Sequence, residues 1–151
     1  MSANTKSDPS YVLAIIPPTE TDGSAAAKYK AAKLNLRIID SIQRLDPNAK
    51  IISMGDFNDD PTNKSFKSIL QTTGKKQIAL KENRLYNPME LMHKKGLGTS
   101  AYRNRWHVLD QIYMTPTLLE VSSNRWRYWK AEIFNPPQLI HAKGPYKGTP
   151  L

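Results

Sequence analysis

Apolar residues fall along this chain in short blocks separated by turn-forming residues. Residues 11–16 (YVLAII) form a continuous apolar run that predicts a buried strand, ended by Pro17-Pro18. Residues 19–23 read as a polar turn, and Ser24 suits the N-cap of a helix running from about 25 to 44. In that helix Leu34, Ile38, Ile42 and Leu45 recur at helical spacing, with Ala27, Tyr29 and Ala31 adding to the apolar side. Lys28, Lys30, Lys33 and Arg37 fall largely on other faces, and Asp46-Pro47-Asn48 is a strong turn signal. Residues 49–54 (AKIISM) predict a second short strand. Strand, long helix, strand is the pattern of a βαβ crossover, although the pattern alone does not make the two strands neighbours.

The second half is less periodic. Thr62 or Asn63 can cap a short helix over 64–72 that Gly74 ends, and the polar, basic stretch 75–83 reads as a loop or edge element. Asn87-Pro88 opens another short helix, with Gly96 beyond its end. Residues 101–114 alternate partially, as strands do, and 116–119 read as a turn or single helical turn. Residues 125–134 (RWRYWKAEIF) predict a last strand with one aromatic core face and one basic solvent face, a mix of rings and cations that can also bind single-stranded nucleic acid by stacking and phosphate contact, and 135–151 read as loop. Residues 1–10 are expected to be a flexible tail, leaving 11–151 as one domain.

Composition narrows the function classes. The 151 residues carry 22 Lys and Arg against 13 Asp and Glu, a formal net charge of +9, so either a polyanionic partner or simple solubility explains the balance. There is no cysteine, which excludes disulfides, thiolate zinc sites and a cysteine nucleophile. No apolar run approaches the ~20 residues of a membrane span. The polar start MSANTKSDPS lacks the apolar core of a signal peptide, and compartment stays open.

The segment that carries chemistry is 54–65 (MGDFNDDPTNKS). Acidic and amide side chains follow an apolar strand at its C-terminal edge, where α/β sheets place ligand sites. Asp56 and Asn58 are two apart and would point to one side of an extended chain, with Phe57 turned toward the core and Asp59 and Asp60 adding charge. A carboxylate and an amide placed this way can hold a hard cation, a water or a phosphate oxygen. The same residues also suit a plain Asp/Asn-rich turn.

Gly55-Asp56-Phe57-Asn58 resembles the signature of the endonuclease/exonuclease/phosphatase superfamily, the DNase I-like fold. The continuation DDPTNKS is similar to its bacterial branch. A second landmark of that family, an aromatic residue followed by Ile/Leu-Asp on a strand, is matched by Trp106-His107-Val108-Leu109-Asp110-Gln111-Ile112. The stretch 144–150 (GPYKGTP) resembles the region shortly before the family's last motif.

The resemblance implies an α/β chain forming part of a two-sheet sandwich with outer helices, and phosphoester hydrolysis assisted by Mg2+ or Mn2+. It implies catalytic roles for Asp56, Asn58 and Asp110: Asp56 as metal ligand, positioning the attacking water, Asn58 on the scissile phosphate, and Asp110 orienting a histidine. The substrate would be a nucleic acid or a small phosphorylated molecule. The family's metal-binding glutamate has no counterpart, since Glu20 lies in a different context, and the closing Ser-Asp-His is absent before Leu151. The chain is therefore expected to be the C-terminal half of such a protein, truncated at both ends and of very low activity. An uncovered apolar sheet face would then invite a homodimer. None of His93, His107 and His141 is expected to replace the missing histidine; His107, three residues before Asp110, would face the other side of a regular strand. The competing reading is a non-catalytic basic domain that binds nucleic acid or another polyanion.

Overall fold

The computed structural model describes residues 10–14, 24–102, 105–121 and 126–150. Its strands are β1 (Ser10–Ala14), β2 (Lys50–Asp56), β3 (Ser100–Tyr102), β4 (Arg105–His107) and β5 (Asp110–Met114). β1, β2 and β5 form a mixed sheet in that order, and β3 pairs with β4 in a two-stranded ribbon. β1 runs parallel to β2 with Ser10 opposite Lys50 and Ala14 opposite Met54, and helix α1 (Ala25–Leu45) joins them. The βαβ crossover and the α/β class read from the sequence both hold. Of the expected tail, only Ser10 is described, and it begins β1.

Helix α1 starts where the sequence signals it. Ser24 sits in extended conformation and its hydroxyl accepts from the Ala27 N–H at 3.3 Å, satisfying one of the free donors of the first turn. At the other end the Asp46 carboxylate accepts from the Asn48 N–H at 3.0 Å, closing the turn into β2. The buried stripe of α1 matches the one that apolar counting selects only in part: Ile42 packs against the core and Ile38 is half-buried, but the centre of the stripe lies elsewhere. Ala32, Asn35 and Ile39 are buried, with Leu36 and Ile42 packed beside them, whereas Leu34 and Leu45 are exposed. The stripe contains a small residue and an amide, so a count of large apolar side chains slides to its neighbour. Asn35 is tolerated inside because its Oδ1 accepts from the Ser53 hydroxyl on β2.

The sheet has two faces of different character. Ile51, Ser53, Gln111 and Tyr113 point to the α1 side, where Ile51 and Tyr113 join Ala32, Ile39, Ala49, Phe66, Leu70 and Leu85 in the main core. Burial of Ile39, Ile51 and Phe66 contributes roughly 1.5–3 kcal/mol each. The rings of Phe57, Phe66 and Tyr113 close this core with centroids 5.4–5.9 Å apart. On the opposite face the register stacks three cross-strand pairs: Ile52 with Met114, Met54 with Ile112, and Asp56 with Asp110. Ala79 of helix α2 (Lys76–Glu82), Leu118 of the 3-10 turn Pro116–Leu119, and Tyr86, which bridges Met114, pack against the first pair. Met54 is half-buried and Ile112 exposed. Beyond the first pair, Met54 and Ile112 are the apolar side chains left on this face of β2 and β5, and a homodimer is not supported.

Three expectations fail in the second half. Residues 64–72 form only one π-helical turn, Ser65–Ile69, because Gln71 turns left-handed (φ 53°) and Thr73 leaves to bridge Tyr86. The stretch 75–83 is not a loop: α2 forms there, built of good helix formers, buried through Ala79 and ended by Asn83 in left-handed conformation (φ 50°). The strand predicted over 125–134 is absent among its described residues, 126–134. Tyr128 packs against the core beside Tyr86, its N–H donating to the Leu118 carbonyl at 2.7 Å and its ring 5.2 Å from that of Tyr86, and Ala131 and Ile133 are half-buried. Trp126, Trp129 and Phe134 stay exposed, since no neighbouring strand offers them a face. Helix α3 (Met89–Lys94) matches its start signal Asn87-Pro88, and Gly96 follows it at φ 76°. No helix among the described residues is long and apolar enough to cross a membrane.

Candidate functional site

Strand β2 runs two residues beyond its apolar stretch, and this places the site. Gly55 and Asp56 pair with Gln111 and Asp110, and the Phe57 N–H donates to the Leu109 carbonyl at 2.9 Å. Because this bond makes 57 and 109 a hydrogen-bonded pair of the ladder, the next pair, Asp56 and Asp110, is of the closer, non-hydrogen-bonded kind. Their side chains share one sheet face with Cβ atoms about 4.5–5.5 Å apart. Both residues are exposed. Two motifs more than fifty residues apart therefore meet at one strand edge.

Asn58 is exposed but does not continue the strand. Its φ of 47° turns the chain, and its N–H donates to Asp56 Oδ1 at 2.9 Å. The expected extended arrangement of Asp56 and Asn58 is thereby corrected: an Asx turn, not strand alternation, brings them together. Phe57 points into the core as expected, partly buried against Phe66 and Tyr113.

The next two carboxylates do a different job from the one their charge suggests. Asp59 is buried, accepting from the Asn63 amide and the Ser65 hydroxyl, with Lys28 Nζ at 3.7 Å. Asp60 accepts from the Val108 N–H at 2.9 Å through Oδ1, and its Oδ2 lies 2.8 Å from His107 Nδ1. His93 Nδ1, on α3, lies 3.6 Å from Asp60 Oδ1. Gln111, wholly buried, ties the same turn from below: its Nε2 donates to the Asp59 and Val108 carbonyls, and its Oε1 accepts from Asn87 Nδ2 at 2.7 Å. The turn carrying Asp56 and Asn58 is thus fastened to the segment carrying Asp110 by side chains on both sides.

Sequence reasoning missed Asp60, His107 and Gln111. The signal was available once β2 and β5 are taken as partners, since continuing the antiparallel register past Asp56 and Asp110 brings 58–60 beside 106–108. The partly alternating stretch 101–114 contributes to three strands, β3, β4 and β5, so His107 and Asp110 lie on separate strands. His141 stands apart, near the Tyr146 ring with centroids 6.0 Å apart. Pro17-Pro18 and Glu20 lie outside the described residues.

Asp56 and Asp110 offer hard oxygen donors, side by side and open to water, which suits a cation that keeps several waters, as Mg2+ does. Among the described residues no group of three or more Asp, Glu, His or Cys gathers to hold a metal. The donor set fits a weakly held ion bound through carboxylates, not a protein cage.

The sequence model of the Endonuclease/Exonuclease/phosphatase family matches residues 19–151. The chain belongs to that family, whose members act on phosphoesters and are generally metal-dependent. No match was found among curated proteins or among solved structures.

Proposed function

We propose that this chain carries the Asp56, Asn58 and Asp110 part of a divalent-metal-dependent phosphoester hydrolase site. The observation that supports it is the direct cross-strand pairing of Asp56 with Asp110 at the exposed end of the sheet. Two like charges opposite each other on antiparallel strands are unfavourable, and a bound cation offsets that repulsion. Asp56 would hold the ion and orient the attacking water, with Asp110 paired beside it. The Asn58 amide donates to a phosphate oxygen. Bound Mg2+ or Mn2+ would supply Lewis-acid stabilisation of the charge that develops on the phosphoryl oxygens.

Hydrolysis by this chain is very low. No imidazole contacts the Asp110 carboxylate among the described residues, so no proton carrier is oriented by it. Catalytic groups that act as a unit fail together. The test is a Mg2+ titration followed by NMR, alongside hydrolysis of a generic aryl phosphodiester. Weak, saturable shifts at Asp56, Asn58 and Asp110 with negligible turnover are expected. Shifts confined to residues away from these motifs would remove the site. Robust Mg2+-dependent turnover abolished by Asp56→Ala would overturn the low activity.

A second reading, a basic polyanion-binding surface, has one observation in its favour. Trp126 and Trp129 are exposed and flank Arg127, with Lys130 next in the chain. Exposed rings among cations can stack on unpaired bases. Quenching of tryptophan fluorescence by a single-stranded oligonucleotide, weakening steeply with salt, tests it; quenching absent at low salt would dismiss it.

A further inference from the structure

The cluster of Asp60, His93 and His107 takes no part in the reading above. Asp60 stands where the turn after β2, helix α3 and strand β4 meet. The Asp60 carboxylate can only accept, so the proton in the 2.8 Å contact with Oδ2 sits on His107 Nδ1. The other ring nitrogen of His107, Nε2, has no partner among the described residues, and the side chain is one-third exposed. A carboxylate that fixes one imidazole nitrogen presents the other to a ligand in a defined direction. His93 does not compete for this: its Nδ1 is buried and faces Asp60 Oδ1 at 3.6 Å, too long for a hydrogen bond.

Strand β4 places a cation on the same face as the ring. Arg105 is two residues before His107 and so lies on the same face of the strand, exposed and without an ion pair among the described residues. The strand is fixed from behind by Gly98, where a Cβ would come within 2.7 Å of the His107 carbonyl oxygen. Of the nearby carboxylates, Asp59 is buried among its donors and Asp60 is held by Val108 and His107, whereas Asp56 and Asp110 are exposed at the neighbouring strand edge.

We propose that His107 and Arg105 form a phosphate-binding subsite beside the Asp56/Asp110 pair. His107 meets the phosphate through Nε2 while Asp60 acts as its positioning residue, and the Arg105 guanidinium donates to a phosphate oxygen alongside. The proposal rests on the phosphoester reading and assigns that site a substrate-contacting residue on β4.

The test is an NMR titration of the chain with inorganic phosphate at about pH 6, near the ordinary histidine range, with EDTA present to exclude any metal. Saturable shifts centred on Arg105 and the His107 ring are expected. His107→Ala and Arg105→Ala should each weaken binding about tenfold, the size of one charge-assisted hydrogen bond. Asp60→Asn should weaken it less and change the tautomer pattern of the His107 ring nitrogens. His93→Gln should leave it unchanged. Arg105→Ala alters an exposed side chain, so it decides the matter even if His107→Ala fails to fold. Binding unaffected by Arg105→Ala, shifts confined to the lysines of α1, or no saturable binding would overturn the proposal. Because EDTA is present, these outcomes are separate from the Mg2+ titration: metal shifts at Asp56 and Asp110 without phosphate shifts at His107 would remove the subsite alone.

Discussion

Replacing Asp110 with Asn should stabilise the metal-free protein. Asp110 lies directly opposite Asp56 on the adjacent antiparallel strand, both exposed. At about 5 Å in water two unit charges repel by about 0.8 kcal/mol, and cross-strand pairs are worth about 0.2–1 kcal/mol. Asp110→Asn keeps the shape and removes one charge, so a gain of about 0.2–1 kcal/mol follows, or roughly 1–3 °C in Tm for a chain of this size. The assay is urea unfolding in EDTA at low and high salt, for wild type, Asp56→Asn, Asp110→Asn and the double variant. The cycle should show a coupling of the same size, since removing either charge relieves the same repulsion. It should shrink as the screening length falls from about 30 Å at 0.01 M salt to about 3 Å at 1 M. Saturating Mg2+ should stabilise wild type by mass action and leave the double variant unchanged. Additive single effects at low salt, or a coupling indifferent to salt, would refute the claim that the two carboxylates sense each other.

Glu90 is almost fully buried, and its carboxylate takes Lys94 Nζ at 2.6 Å, Lys67 Nζ at 2.9 Å and the Gly74 N–H at 2.9 Å, so Glu90→Ala should cost about 3 kcal/mol in chemical denaturation. Burial pushes the Glu90 carboxyl up, but the bonds and charges of Lys94 and Lys67 outweigh it and hold the group below the ordinary range. Its stabilisation is therefore complete above the unfolded value of about 4.3 and is lost as pH falls through the lower folded value; Glu90→Gln should flatten acid unfolding in that window. Gln111→Ala strands the Asn87 amide and two backbone carbonyls, and should cost about 2–4 kcal/mol while weakening Mg2+ shifts at Asp56. Gly98→Ala puts a Cβ 2.7 Å from the His107 carbonyl oxygen and 2.9 Å from its nitrogen, and a loss of about 1–3 kcal/mol with displaced β4 resonances is expected; an unperturbed spectrum would contradict the packing.

The local chemistry of this chain determined its α1 start, its β2 strand and the meeting of strand and motif at Gly55-Asp56. Each depends on neighbours in sequence: a serine cap three residues from the N–H it accepts, an apolar run ending in glycine, a turn at Asp46-Pro47-Asn48. That Asp56 and Asp110 serve one site was implied by the family resemblance alone, because no local rule joins residues so far apart. Tertiary structure decided the rest. The buried face of α1 runs through Asn35, whose burial depends on a hydroxyl from β2. The fate of 126–134 turned on whether a partner strand lay beside it, and none does among the described residues. Asp59 and Asp60 look in the sequence like two more charges of one acidic turn. In the fold one is buried among Asn63, Ser65 and Lys28, and the other holds His107 from forty-seven positions away. A carboxylate's function follows from the donors that reach it, and those donors arrive only when the chain has closed on itself.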